Sequence, residues 1–227
     1  VLVKGNLADF PFVDGKRGLF QVTARVNEAV LHYADGWPDI ANIGADLLFK
    51  GKRMEINASQ GSILGAKLGK VHAVIPDLLV HEERLDIDGE ARGPTAEFFN
   101  FIGQSPVHAM IGDFTADMQA AGNGRLGLKL SIPMRHNKDS KVAGVFQFMN
   151  NRIVAGPDMP ALEQVNGRLE FSETGVRVQN ISGQLLGGPM ALSAITQKDG
   201  TVRVTAQGGV SAAGLRKAFD NVLLRPL

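Results

Sequence analysis

Apolar and polar residues alternate along most of this chain, the period-two pattern of strands that bury one face. Phe20, Val22, Ala24 and Val26 are separated by Gln21, Thr23 and Arg25. Ala45, Leu47 and Phe49 run into a Lys-Gly-Lys-Arg turn and resume as Met54, Ile56 and Ala58, which predicts a hairpin. Val71, Ala73 and Ile75 predict a strand ended by Pro76, and Leu85 and Ile87 begin another. The second half repeats the habit with Phe114, Ala116 and Met118, then Leu126, Leu128, Leu130 and Ile132, then Val142, Gly144, Phe146 and Phe148. Leu169 and Phe171, a Ser-Glu-Thr-Gly turn, Val176 and Val178 follow; Met190, Leu192 and Ala194, and then Val202, Val204 and Ala206, are the last of twelve such runs, in a sheet expected to hold some fifteen strands.

Two stretches change period. Pro94–Gly103 places Phe98 and Ile102 on one helical face, and 211–224 does the same with Leu215, Phe219 and Val222. Pro94 suits a first helical turn, and Ser211 is a good N-cap. Each helix follows a strand, so the pattern predicts two runs of antiparallel strands, each closed by one short helix.

The two runs are related. Residues 43–65 and 165–187 align without a gap: Leu47 falls on Leu169, Phe49 on Phe171, Met54 on Val176, Ile56 on Val178, Gly61 on Gly183 and Gly65 on Gly187. Pro38 falls on Pro160 at the same offset. Identities are few, but every strongly apolar position keeps its parity, the mark of a duplicated β-unit. The expected organisation is unit one over 1–111, with 1–17 as the end of a preceding unit, and unit two over 112–227. No Pro-, Ser- or charge-rich linker separates them, which favours one continuous sheet.

Composition narrows the class. The chain has 227 residues, 44% hydrophobic and 21% charged, as in a folded domain rather than a disordered one. A net charge of +1 gives no electrostatic reason to bind nucleic acid. With no cysteine, disulfides, zinc ribbons and thiol nucleophiles are excluded, and an oxidising compartment is suited. No run approaches the roughly 18 apolar residues of a membrane span. Beginning at Val1 in strand-like sequence, the chain reads as a fragment of a longer protein.

Catalytic and metal signatures are missing. Gly122-Asn-Gly124-Arg-Leu-Gly127 matches a dinucleotide fingerprint, but a strand pattern follows where the fingerprint needs a helix. His32, His72, His81, His108 and His136 stand apart, and His81-Glu-Glu-Arg lacks the second histidine of a zinc-protease helix. Asp86-Ile-Asp88-Gly89-Glu90 reads as the polar face of a strand rather than a calcium loop. Asn57-Ala-Ser59 and Asn180-Ile-Ser182 match a glycosylation acceptor that matters only in a eukaryotic secretory setting. The expectation is therefore no enzyme, no cofactor and no metal.

A physical difficulty remains. A one-faced sheet of this length exposes more apolar area than two short helices cover, at about 25 cal/mol per Å². It must curl on itself, pack against another sheet or hold something apolar.

The segment 5–79, with NLADFPF, GLFQVTARVNEAVLHYADGWPDIANIGADLLFKG, INASQGSILG and VHAVIPDL, resembles the central region of the YhdP branch of the AsmA-like proteins. KVAGVFQFMNNRI, VNGRLEFSETGV and QLLGGPM extend the likeness into the second unit. The resemblance implies the periplasmic part of an inner-membrane-anchored protein of a Gram-negative bacterium. It implies a mainly β fold, an elongated, curved, taco-like antiparallel sheet, whose hydrophobic groove passes phospholipids between the inner and outer membranes. Implied partners are phospholipid acyl chains and neighbouring β-groove units of the parent chain, with membrane contact only through other parts. The expected groove lining is Val22, Leu47, Phe49, Met54, Ile56, Leu128, Leu130, Phe146, Phe148, Leu169, Phe171, Val176 and Val178. Two alternatives stay open: an envelope scaffold whose sheet closes on its own side chains, and a glycan-active enzyme with a site near His108, Asp113 and Asp117.

Overall fold

A computed structural model describes residues 1–10, 12, 15–108, 115–157 and 159–216. Twelve strands lie in one sheet in chain order, each beside its neighbours in sequence. They are β1 (Leu2–Gly5), β2 (Gly18–Leu31), β3 (Ile40–Lys50), β4 (Arg53–Ile63), β5 (Ala66–Ile75) and β6 (Arg84–Pro94), followed by helix α1 (Thr95–Gly103). Then come β7 (Gln119–Pro133), β8 (Lys141–Val154), β9 (Leu162–Ser172), β10 (Gly175–Leu185), β11 (Gly188–Thr196) and β12 (Val202–Gly208). The fold is mainly β, an open antiparallel sheet with two short helices.

Twelve strands stand where about fifteen were expected, because individual strands are long and 115–117 form a turn. Ala116 lies in that turn; Phe114 is outside the described residues. The predicted β3–β4 hairpin is present, with Phe49 facing Met54 and Gly51 supplying a positive φ of 56° at its turn. α1 begins one residue later than expected, with Pro94 as its extended N-cap. The second helix spans 212–216 of the described residues and is capped as predicted: the Gly214 N–H donates to Ser211 Oγ at 2.9 Å. Phe219 and Val222 lie outside the described residues.

The offset that aligns the two stretches of sequence recurs in the backbone. β3 and β9 have the same length and are separated by the offset that carries Leu47 to Leu169, and so are β4 and β10. Non-glycine residues in left-handed conformation recur at that offset: Glu28 (φ 54°) with Asn150 (53°), Asn42 (54°) with Gln164 (53°), Leu64 (49°) with Leu186 (52°). Glu28 and Asn42 sit where the strand register shifts, so they mark bulges that bend and twist the strand locally. Each such residue costs about 1 kcal/mol or more, so the recurrence reflects a shared requirement of the two halves.

By internal contacts the chain divides into two compact units. The first comprises Val1–Asp35, Asp39–Arg92 and Gly127–Gly144; the second Gly36–Pro38, Gly93–Leu126 and Val145–Leu227.

Candidate functional site

In the first unit the registers assemble one apolar face row by row. Val22, Phe49, Met54 and Ile75 lie opposite one another across β2–β5. Ala24, Leu47, Ile56, Ala73 and Ile87 form the next row across β2–β6, and Val26, Ala45, Ala58, Val71 and Gly89 the third. On β7, Ser131 Oγ donates to Asp86 at 2.7 Å and Lys129 Nζ meets Asp88 at 3.3 Å, both on the polar side of β6. Alternation therefore puts Leu128 and Leu130 on the apolar side.

This face is only partly shielded. Val22, Leu47, Phe49, Met54, Ile56, Leu128 and Leu130 are all half-buried, and on these rows only Ala45 and Ile75 are buried. Wide antiparallel sheets commonly hide one face on a core and wet the other. Here the apolar face itself keeps contact with solvent.

The opposite side of the same strands is polar. Arg25, Asp46, Asn57, His72 and Asp88 follow one another in register from β2 to β6, and Lys129 continues the row. Arg25 Nε and Nη2 donate to the two Asp46 oxygens at 2.6 and 3.2 Å, and a His72 ring nitrogen lies 2.8 Å from Asn57 Oδ1. The hydrogen bond from Arg25 holds the Asp46 carboxyl below its ordinary range. Arg53 and Lys52 do the same for Glu55 and Asp77. Cross-strand pairs of this kind fix register more than they add stability at such exposure.

The second unit has a different interior. Phe146, Phe148, Ile153, Val165, Val178, Ile181 and Ala194 form one buried cluster, with Phe146 8% and Val165 1% exposed. Phe98 of α1 packs against it, its ring 4.9 Å from Phe146 in an edge-on pair, and Phe146 meets Phe148 at 4.8 Å in the same way. Beneath the rings, a Cβ at Gly124 would come within 2.1 Å of Phe146 Cζ, so glycine makes room for the aromatic. Leu169 is half-buried against this cluster; Phe171 and Val176 face each other across β9–β10, also half-buried. Of the expected lining, Phe146, Phe148 and Val178 are buried in this cluster, while Leu169, Phe171 and Val176 are half-buried like the lining residues of the first unit.

That division was not anticipated from alternation, which is the same in both units. A signal was available: at the repeat offset, Ala24 and Val26 correspond to Phe146 and Phe148. Small residues in one unit stand where large rings fill the other.

His108 is half-buried, Asp117 is exposed, and Asp113 is outside the described residues. Among the described residues no three His, Asp or Glu side chains are placed to hold a metal ion. Gly122 and Gly124 lie within β7, with no helix following, so they form no phosphate-binding turn. Among the described residues no helix is long and apolar enough to cross a membrane.

No solved structure matches the chain. Among curated proteins it is 22% identical over 194 residues to the "Intermembrane phospholipid transporter YhdP" of Escherichia coli (strain K12), an alignment covering 86% of this chain. The chain spans only 15% of that relative's length. The family described as YhdP protein matches residues 1–227, from the β1 edge through both units. The chain therefore belongs to the YhdP family.

Proposed function

We propose that this chain is one stretch of a phospholipid conduit, and that acyl chains lie along the apolar face of its first unit. The observation that carries the reading is the half-burial of Val22, Leu47, Phe49, Met54 and Ile56 in registered rows, with Leu128 and Leu130 half-buried on the same side by alternation. Each methylene withdrawn from water against such a wall contributes about 0.8 kcal/mol. Repeated aliphatic rows offer no deep minimum, so a chain can slide along them, while headgroups stay in water. We read the wider setting from the sequence resemblance, in keeping with the relative's name of intermembrane phospholipid transporter: a periplasmic section between inner and outer membranes, attached to the inner membrane by other parts of the parent protein. In that setting the sheet is an elongated, curved groove built of two repeat units, 1–111 (with 1–17 as the end of a preceding unit) and 112–227, each ending in a short helix. The recurring left-handed residues support this repeat reading.

The test is native mass spectrometry of the purified chain with and without Leu47→Asp and Phe49→Asp. Copurifying phospholipid that disappears in the variants, with circular dichroism unchanged, is the expected result. A second reading, an envelope scaffold with a closed core, is favoured by the filled interior around Phe146. It predicts no bound amphiphile in any variant.

A further inference from the structure

We propose that helix α1 is a displaceable cover, and that an acyl chain replaces it over the second unit's apolar face. The inference rests on the acyl-chain reading above. It comes from how weakly α1 is buried. Phe98, Phe99, Phe101 and Ile102 are all half-exposed, and Thr95 is the helix's buried residue. Nine residues are too few for a helix to be stable by itself, so its docking decides whether it forms in place.

That docking includes three contacts. At the N-terminal end, Thr95 Oγ1 donates to Asn151 Oδ1 at 2.9 Å. At the middle, Phe98 meets Phe146 edge-on. Towards the C-terminal end, Phe101 lies 5.8 Å from Trp37, ring centroid to ring centroid. The first contact is buried and polar; the other two are aromatic, and Phe98, Phe101 and Trp37 are only half-buried although Phe146 is buried. An apolar ligand competes with the aromatic contacts but not with the buried hydrogen bond. Thr95 is therefore the pivot, and the aromatic end is the part that lifts. The cluster that Phe98 packs against includes Val178, with Leu169 half-buried beside it, and these are the repeat counterparts of Ile56 and Leu47, which stand half-buried in the first unit. Lifting α1 gives the second unit the same kind of wall.

Two measurements test this. The first is hydrogen exchange of the unaltered chain with a monoacyl phosphatidylcholine held below its micelle concentration. Lipid should speed exchange of the amides at 99–103 by about tenfold, without a matching rise in β9 and β10. The second is lipid photolabelling of the chain carrying benzoylphenylalanine at Leu169 or at Phe49, with and without Phe98→Ala. Labelling at 169 should rise several-fold in Phe98→Ala, while labelling at 49 should not change. Exchange of α1 that ignores saturating lipid, or labelling at 169 unaffected by Phe98→Ala, overturns the cover. Strong labelling at 169 equal in both forms overturns it too. Loss of labelling at 49 alone defeats the open-wall reading and leaves the cover standing; loss at both positions defeats both. Should Phe98→Ala not fold, the exchange result decides.

Discussion

Thr95 Oγ1 donates to Asn151 Oδ1 at 2.9 Å, and both side chains are wholly shielded from water. Asn151 Nδ2 also donates to the carbonyls of Asn123 (2.8 Å) and Met149 (3.2 Å), so one amide ties α1 to β7 and β8. Removing it strands several buried polar groups. Asn151→Ala should lower stability by about 2–3 kcal/mol and Thr95→Val by about 1–2 kcal/mol, measured by urea unfolding. Equal and negligible effects would show that water replaces the amide.

Gly124→Ala should destabilise by about 1–3 kcal/mol, because the new methyl meets the Phe146 ring and not because of backbone conformation. Phe146→Leu in the same chain should recover part of the loss. A double-mutant cycle showing no coupling between the two positions would refute the steric account.

Phenylalanine at positions 24 and 26 copies into the first unit the rings that fill the second. Ala24→Phe with Val26→Phe should therefore reduce phospholipid retention by about tenfold, about 1.4 kcal/mol, without loss of fold. Retention unchanged, by quantitative lipid extraction, would mean that acyl chains do not lie along that row.

His32 is held between two carboxylates, Nδ1 2.8 Å from Asp39 and Nε2 3.3 Å from Asp35. The hydrogen bond with Asp39, then that with Asp35, raises its pKa above the ordinary 6.5. A raised folded pKa contributes stability that is complete below about pH 6.5 and fades as pH climbs through the folded value. The melting temperature of His32→Asn should thus trail the parent at pH 5.5 and converge with it at pH 9. A gap that widens with pH would reverse the assignment.

Tyr33 is the only tyrosine, so its ionisation can be followed alone at 295 nm. Partial burial, then the Asp39 charge, pushes its pKa up to about 12. A titration centred at 10 would show that the hydroxyl is as wet as in a free peptide.

Much of this fold was legible in the pattern. The β3–β4 hairpin, the Pro76 stop, the α1 face with Phe98 and the Ser211 cap all follow from local spacing and turn chemistry. The bulges were not legible, because Glu28, Asn150 and Gln164 carry positive φ without being glycine, and only the sheet around them requires it. The strand expected at 114–118 failed for a related reason: five residues of alternation have no length advantage over a turn. Openness of the apolar face was legible least. A half-buried Ile56 and a buried Val178 occupy equivalent alternating positions, and what separates them is the bulk at 146 and 148 and a helix from elsewhere in the chain.

The polar row from Arg25 to Lys129 has a consequence for folding fidelity. Most sheets learn their alignment from the jigsaw of a tight interior, where a one-residue slip would turn every apolar side chain outward. A wall of interchangeable aliphatic rows teaches little of this, since Val22 opposite Phe49 or opposite Leu47 would be nearly as comfortable. Arg25 beside Asp46 and His72 beside Asn57 tolerate no such shift. The first unit keeps its proofreading on the outside, which frees the inside to remain featureless.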